Sequence, residues 1–181
     1  MADFFTQLNQ KHKAFILKQK IFFTATAPEE GKINLSPKGM DTFQVIDDTT
    51  VAYLDLTGSG NETAAHLLQN GRMTIMMCSF DKQPLIFRLY GTGSVINQYH
   101  ANWNDWINKF TPLSGTRQII VMNIESIQTS CGYAVPIAEN MSERDTLIKW
   151  ADNKGEQGIK DYWAEKNQTS LDGLDTKLLE K

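Results

Sequence analysis

The chain's pattern of short segments predicts an antiparallel β-barrel with peripheral helices, mainly β or α+β in class. Three observations carry this. Six to eight β-rich runs follow one another at short spacing, most joined by turn residues. Strands and helices do not alternate regularly, which disfavours a parallel doubly wound sheet. The glycine-rich turn Asp55–Thr63, DLTGSGNET, lacks the third glycine of a dinucleotide fingerprint and has no Gly-Lys-Ser/Thr, so neither a Rossmann site nor a P-loop is present.

In order, the chain opens on Phe4, Phe5, Leu8, His12, Phe15 and Ile16, whose spacings of three and four predict a first helix with His12 packed on or near its apolar stripe. Ile21–Ala27 and the run INLSP form a predicted hairpin around the turn APEEGK. FQVID and TVAYLDL flank the turn Asp47–Thr49; in the second, Val51, Tyr53 and Asp55 face one way, and Ala52, Leu54 and Leu56 the other. A helix is predicted from about Asn61 to Asn70, stopped by Gly71. RMTIMMCSF and PLIFRLYGTGSVIN read as a long hairpin, with Arg88 sharing a face with Ile86 and Tyr90. A helix over His100–Phe110, a strand from Arg117 to about Thr129 and helical patterning from Ser142 complete the series. The tail after Lys166 shows no clear core face.

The 181 residues and 41% hydrophobic content suit one domain, with a core over about 12–135 and a helical extension over 140–181. A net charge of −3 without a Lys/Arg block disfavours nucleic acid as the main partner. There is no signal peptide and no apolar run of about 18 residues, so a cytoplasmic protein without a membrane span is expected. Cys78 and Cys131 read as reduced thiols. His66 and His100 are isolated from other ligand types, and no structural metal is expected. Trp103, Trp106, Trp150 and Trp163 read as packing anchors.

The turn at Asp55–Thr63 is the chemical centre. Gly58 and Gly60 permit torsions that other residues resist, and Ser59, Asn61 and Thr63 can each cap a helix start. Helix-start amides left open would make an anion site, so the turn is either a phosphate cradle or, together with Thr57, a plain turn with a cap. Lys38 is either a phosphate partner or a solvated loop lysine. Arg88, in an apolar strand, calls for a phosphate or carboxylate partner.

INLSPKG, then YLDLTGSGNETAAHL, then NGRMTIMMCSF and FRLYGTG, in that order and spacing, resemble the pyridoxamine 5′-phosphate oxidase-related family over residues 12–135. The SCGYAVP segment and the tail ending KNQTSLDGL resemble an uncharacterised branch rather than the oxidase itself. The resemblance implies an FMN-binding split β-barrel, a homodimer with flavin at the subunit interface, and an FMN-dependent oxidoreductase of unassigned small-molecule substrate. It places cofactor contacts on the strand carrying Asn34, Leu35, Ser36 and Lys38, on Thr57, Gly58, Ser59 and Gly60, and on Asn61, Thr63 and Arg88. It also shows departures. The family's Ser-Arg-Lys phosphate motif falls on Gly60-Asn61-Glu62 or Asn61-Glu62-Thr63, and a ring-contacting glutamine becomes Ile86. The tail offers only Arg144 for the oxidase's C-terminal arginines, so pyridoxamine phosphate oxidation is not carried over. Two alternatives stand beside the oxidoreductase: a flavin, deazaflavin or haem carrier without turnover, and a barrel serving only protein interaction.

Overall fold

The computed structural model describes residues 2–180. Its frame is one antiparallel sheet, curled into a half-barrel, with strand order β3-β2-β6-β7-β8-β5-β4 and β1 (Asp3–Phe5) paired onto β8. The hairpins follow from the sequence pattern. β2 (Phe22–Thr26) pairs β3 (Asn34–Lys38), β4 (Phe43–Val45) pairs β5 (Thr50–Leu56), and β6 (Arg72–Cys78) pairs β7 (Ile86–Asn97). β8 (Thr116–Ser130) lies between β7 and β5 and ties the two halves of the sheet together.

The alternation along β5 separates two cores. Val51 and Tyr53 join Phe22, Phe87, Leu89 and Ile127 in the main cluster inside the curl. Ala52 and Leu54 join Ile119 and Val121 on the opposite face, where Trp103, Trp106 and Ile107 cover them. These last three lie on α3 (Trp103–Ile107), which is shorter than the predicted His100–Phe110, although Phe110 is still buried. Trp163 anchors a third cluster with Ala151, Ile159 and Leu178, and Trp150 packs at its edge.

The N-terminal helix is also shorter than its apolar stripe suggests. α1 (Gln10–Ile16) starts only after Asn9, whose side chain accepts from the His12 amide while the His12 ring bonds back to the Asn9 amide. Phe4 and Phe5 instead form β1, because their amides find partners on β8. His12 is buried edge-on against Phe5, with ring centroids 4.6 Å apart, the packed histidine the sequence predicts.

α2 (Glu62–Asn70) ends at Gly71, whose φ of 69° is the left-handed cap a glycine supplies without strain. α4 (Thr146–Lys166) starts later than Ser142 and is broken at Gly155 (φ 65°, ψ 172°), a break that lets Trp150 meet Tyr162 edge-on at 5.2 Å. The tail corrects the sequence reading most. Leu178 is fully buried, and Ser170 and Thr176 are nearly so. Both cysteines are free, Cys78 buried and Cys131 exposed. Among the described residues, no helix is long and apolar enough to cross a membrane.

Two glycines give opposite predictions. A Cβ on Gly91, at the bulge between Tyr90 and Gly91, would lie 2.0 Å from the Asn123 carbonyl oxygen. Gly91→Ala should therefore destabilise the chain by at least about 2 kcal/mol in urea unfolding. Gly158, inside α4, meets nothing nearer than Lys154 Cβ at 3.5 Å. Gly158→Ala should stabilise by roughly 0.5–1 kcal/mol in the same measurement.

Candidate functional site

β5 delivers Asp55 to the end of the sheet, where its side chain is 1% exposed. A buried carboxylate survives only with partners. Asp55 has four contacts. Oδ2 accepts from Arg117 Nη2 at 2.7 Å, Arg117 Nε at 3.1 Å and Gln118 Nε2 at 2.8 Å, while Oδ1 accepts from Lys38 Nζ at 2.8 Å. Burial alone would raise its pKa, but the Arg117 guanidinium and the Lys38 ammonium win and hold the carboxyl well below the usual range. Neighbouring Tyr53 is pushed the other way, by burial first and by the Asp55 charge second, so its hydroxyl stays protonated.

From this ion cluster the turn is positioned. Arg117 Nη1 donates to the Gly60 carbonyl at 2.9 Å and to Asn167 Oδ1 at 2.9 Å. Asn167 Nδ2 in turn donates to the Gly58 carbonyl at 3.1 Å. Two carbonyls of the glycine turn are thereby held inward. Asn61, 2% exposed, takes a 2.7 Å bond from Gln118 Nε2 and does not cap α2. The first-turn amides of α2 are left without a side-chain acceptor, the condition for an anion cradle. Glu62 also lines the cavity, where its carboxylate accepts from the Leu171 amide at 3.0 Å.

Asp55, Arg117 and the glycine turn border a cavity of about 570 Å3. Asn34, Ser36 and Lys38 form one wall, and Gly58, Ser59 and Gly60 the other. Asn61 and Thr63 close the end at the α2 start, with Asn34 Nδ2 donating to Thr63 Oγ1 at 3.2 Å. Three sequence-predicted residues lie elsewhere. Leu35 points to solvent from the edge strand and is 64% exposed. Thr57 is buried behind the turn, donating to the Gly115 carbonyl and accepting from Trp163 Nε1. Arg88 is half-buried on β7 and donates to Ser130 Oγ at 3.2 Å, outside this cavity.

Sequence reasoning missed Asp55, Arg117, Gln118 and Asn167 as site residues. The signal for the first two was available: opposite charges in otherwise apolar strands call for each other. Asn167 sits 109 residues from the turn it holds, and no local pattern marks it.

Asp55→Asn leaves Lys38 and Arg117 without their counter-charge. It should cost about 3 kcal/mol of unfolding free energy, roughly 6–12 °C in Tm. The folded pKa of Asp55 is depressed, so its contribution is complete above the ordinary carboxyl value of 3.8 and is lost only as pH falls below it. The difference between the two chains should be flat from about pH 5 to 8 and shrink only on the acid side of that range, as followed by urea unfolding at each pH.

The chain can be set against known proteins. Residues 8–131 match the family described as pyridoxamine 5′-phosphate oxidase. The pyridoxamine 5′-phosphate oxidase family protein ustO of Aspergillus flavus is 38% identical over 194 residues, spanning 96% of this chain and 77% of that one. Among solved structures, HupZ of Group A Streptococcus superposes with a TM-score of 0.54 at 22% identity, over 67% of this chain and 98% of that chain. A candidate pyridoxamine 5′-phosphate oxidase from Lactobacillus delbrueckii gives 0.54 at 15% identity, over 68% and 98%. At such identities the two structures speak for the fold alone, the antiparallel split barrel. The match over residues 8–131 and the Aspergillus relative place this chain in the pyridoxamine 5′-phosphate oxidase family.

Proposed function

We propose that the chain is an FMN-binding flavoprotein, a cytoplasmic homodimeric oxidoreductase of unassigned substrate, and that the cavity between β3 and the glycine turn holds the cofactor's phosphate end. The observation that carries this reading is the open α2 start: Asn61 is turned into the protein, and the first-turn amides have no side-chain acceptor. The donor set fits a phosphate. Lys38 keeps 21% of its side chain exposed beside the cavity and supplies the cation. Ser36 and Ser59 supply hydroxyl donors on the two walls.

When bound, FMN supplies hydride chemistry at its ring. The protein's part is binding and orientation. Asp55 fixes Lys38 and Arg117, and Arg117 with Asn167 fixes the turn. Of the two carboxylates lining the cavity, Asp55 is ion-paired and Glu62 accepts from the Leu171 amide. Hydride transfer needs no strong base. Ile33 and Leu35, 78% and 64% exposed along the edge strand, are apolar surface that a second copy would cover, which supports the homodimer.

The test is the absorption spectrum of freshly purified protein, with mass identification of what denaturation releases. Bands near roughly 370 and 450 nm with released FMN are expected. Lys38→Ala should weaken FMN binding by at least about tenfold while leaving the fold intact by circular dichroism. A colourless protein that takes up no added FMN overturns the reading.

A further inference from the structure

Beside the cradle lies a second, larger cavity, of about 800 Å3, within the range of small-molecule sites. It shares Pro37 and Lys38 with the cradle cavity, so the two meet at the end of β3. Its far wall comes from the segment Met141–Trp150, outside the residues that match the family. That wall is specific to this chain's C-terminal extension.

The chemistry differs sharply from the cradle. Trp150 and Leu147, one turn apart on α4, line the cavity together with Ile21, Pro37 and Met40, while the Trp150 ring also carries Lys154 Nζ at 5.7 Å from its centroid. Met40 and the following Asp41 hold φ values of 63° and 53°, torsions that residues other than glycine adopt at a cost. The strained turn is held by Glu143, whose carboxylate accepts from the Met40 amide at 3.2 Å. Of the three cations at the rim, only Lys38 is matched by an acid among the described residues. Lys38 is taken by Asp55, and Lys20 donates to the Met141 carbonyl at 2.7 Å. Arg144 is exposed and makes no ion pair among the described residues. Among the described residues, Glu143 is the sole carboxylate lining this cavity, and it accepts from the Met40 amide.

We infer that this cavity binds a planar, apolar molecule bearing a carboxylate, with Trp150 covering the flat body and Arg144 pairing with the carboxylate. A guanidinium matches a carboxylate through two parallel hydrogen bonds, and an indole face covers apolar area with little loss of rotamer freedom. As the substrate class of the proposed flavoprotein the inference rests on the FMN reading; as a binding site it stands on this cavity alone.

The experiment is calorimetric titration of the full chain, with and without added FMN, using 2-naphthoate and its uncharged counterpart 2-naphthamide. The naphthoate should bind at least about tenfold more tightly than the amide. R144Q should remove that preference while leaving naphthamide and FMN affinities within about twofold, and W150A should weaken both naphthalenes by about tenfold. Equal affinity of the two compounds for the unaltered chain overturns the inference, as does a preference that survives R144Q. If W150A changes the association state in sedimentation but not naphthoate binding, the cavity is a contact between copies and the inference also falls. If the chain takes up no FMN yet shows the Arg144-dependent preference, the binding site is upheld and the flavin reading is the one that fails.

Discussion

Everything at the site depends on one buried carboxylate. Asp55 enters the protein because Lys38, Arg117 and Gln118 arrive from β3 and β8 to meet it. Burying a carboxylate without such partners costs more than a fold of this size can offset. With them, three strands that are not sequence neighbours, β3, β5 and β8, are tied together at one place. The glycine turn between β5 and α2 is held against that fixed end through Arg117 and Asn167, which is why a flexible sequence can present a defined surface. The same pairing sets the site's electrostatics. One carboxylate offsets part of the charge on two cations, so the cavity is less basic than its lysine and arginine suggest.

The C-terminal extension has two structural consequences. Its end, through Asn167 and Leu171, holds the turn and the Glu62 carboxylate. Its beginning, over Met141–Trp150, walls the second cavity. Both lie past the residues that match the family, so the barrel carries a site built partly from outside the family core. Gly155 makes this possible, because the break there lets one helical region serve both places.

The hairpins were legible because their alternation is strict and their turns carry Asp, Gly and Pro. The two faces of β5 could be assigned residue by residue. Helix ends were less legible. Phe4 and Phe5 fit a helical stripe, yet β8 offered ladder bonds that a helix start could not match. At the site, the glycine turn was readable from local chemistry and Asn34, Ser36 and Lys38 through the family resemblance, and the structure brings them to one cavity. Arg88 was legible only as an arginine needing a partner; Ser130 supplies a hydroxyl for it across the β7–β8 ladder. Asn167 was beyond reach, because its meaning lies in a contact more than a hundred residues away that leaves no period or spacing in the chain.

The central claim is that the turn and the α2 start recognise a phosphate group. The most direct measurement compares the dissociation constants of FMN and riboflavin, which share the ring and differ in the phosphate. The account predicts that FMN binds at least about 100-fold more tightly, and that raising the salt concentration narrows the gap. Equal affinities would show that the cradle does not hold a phosphate and would contradict the account.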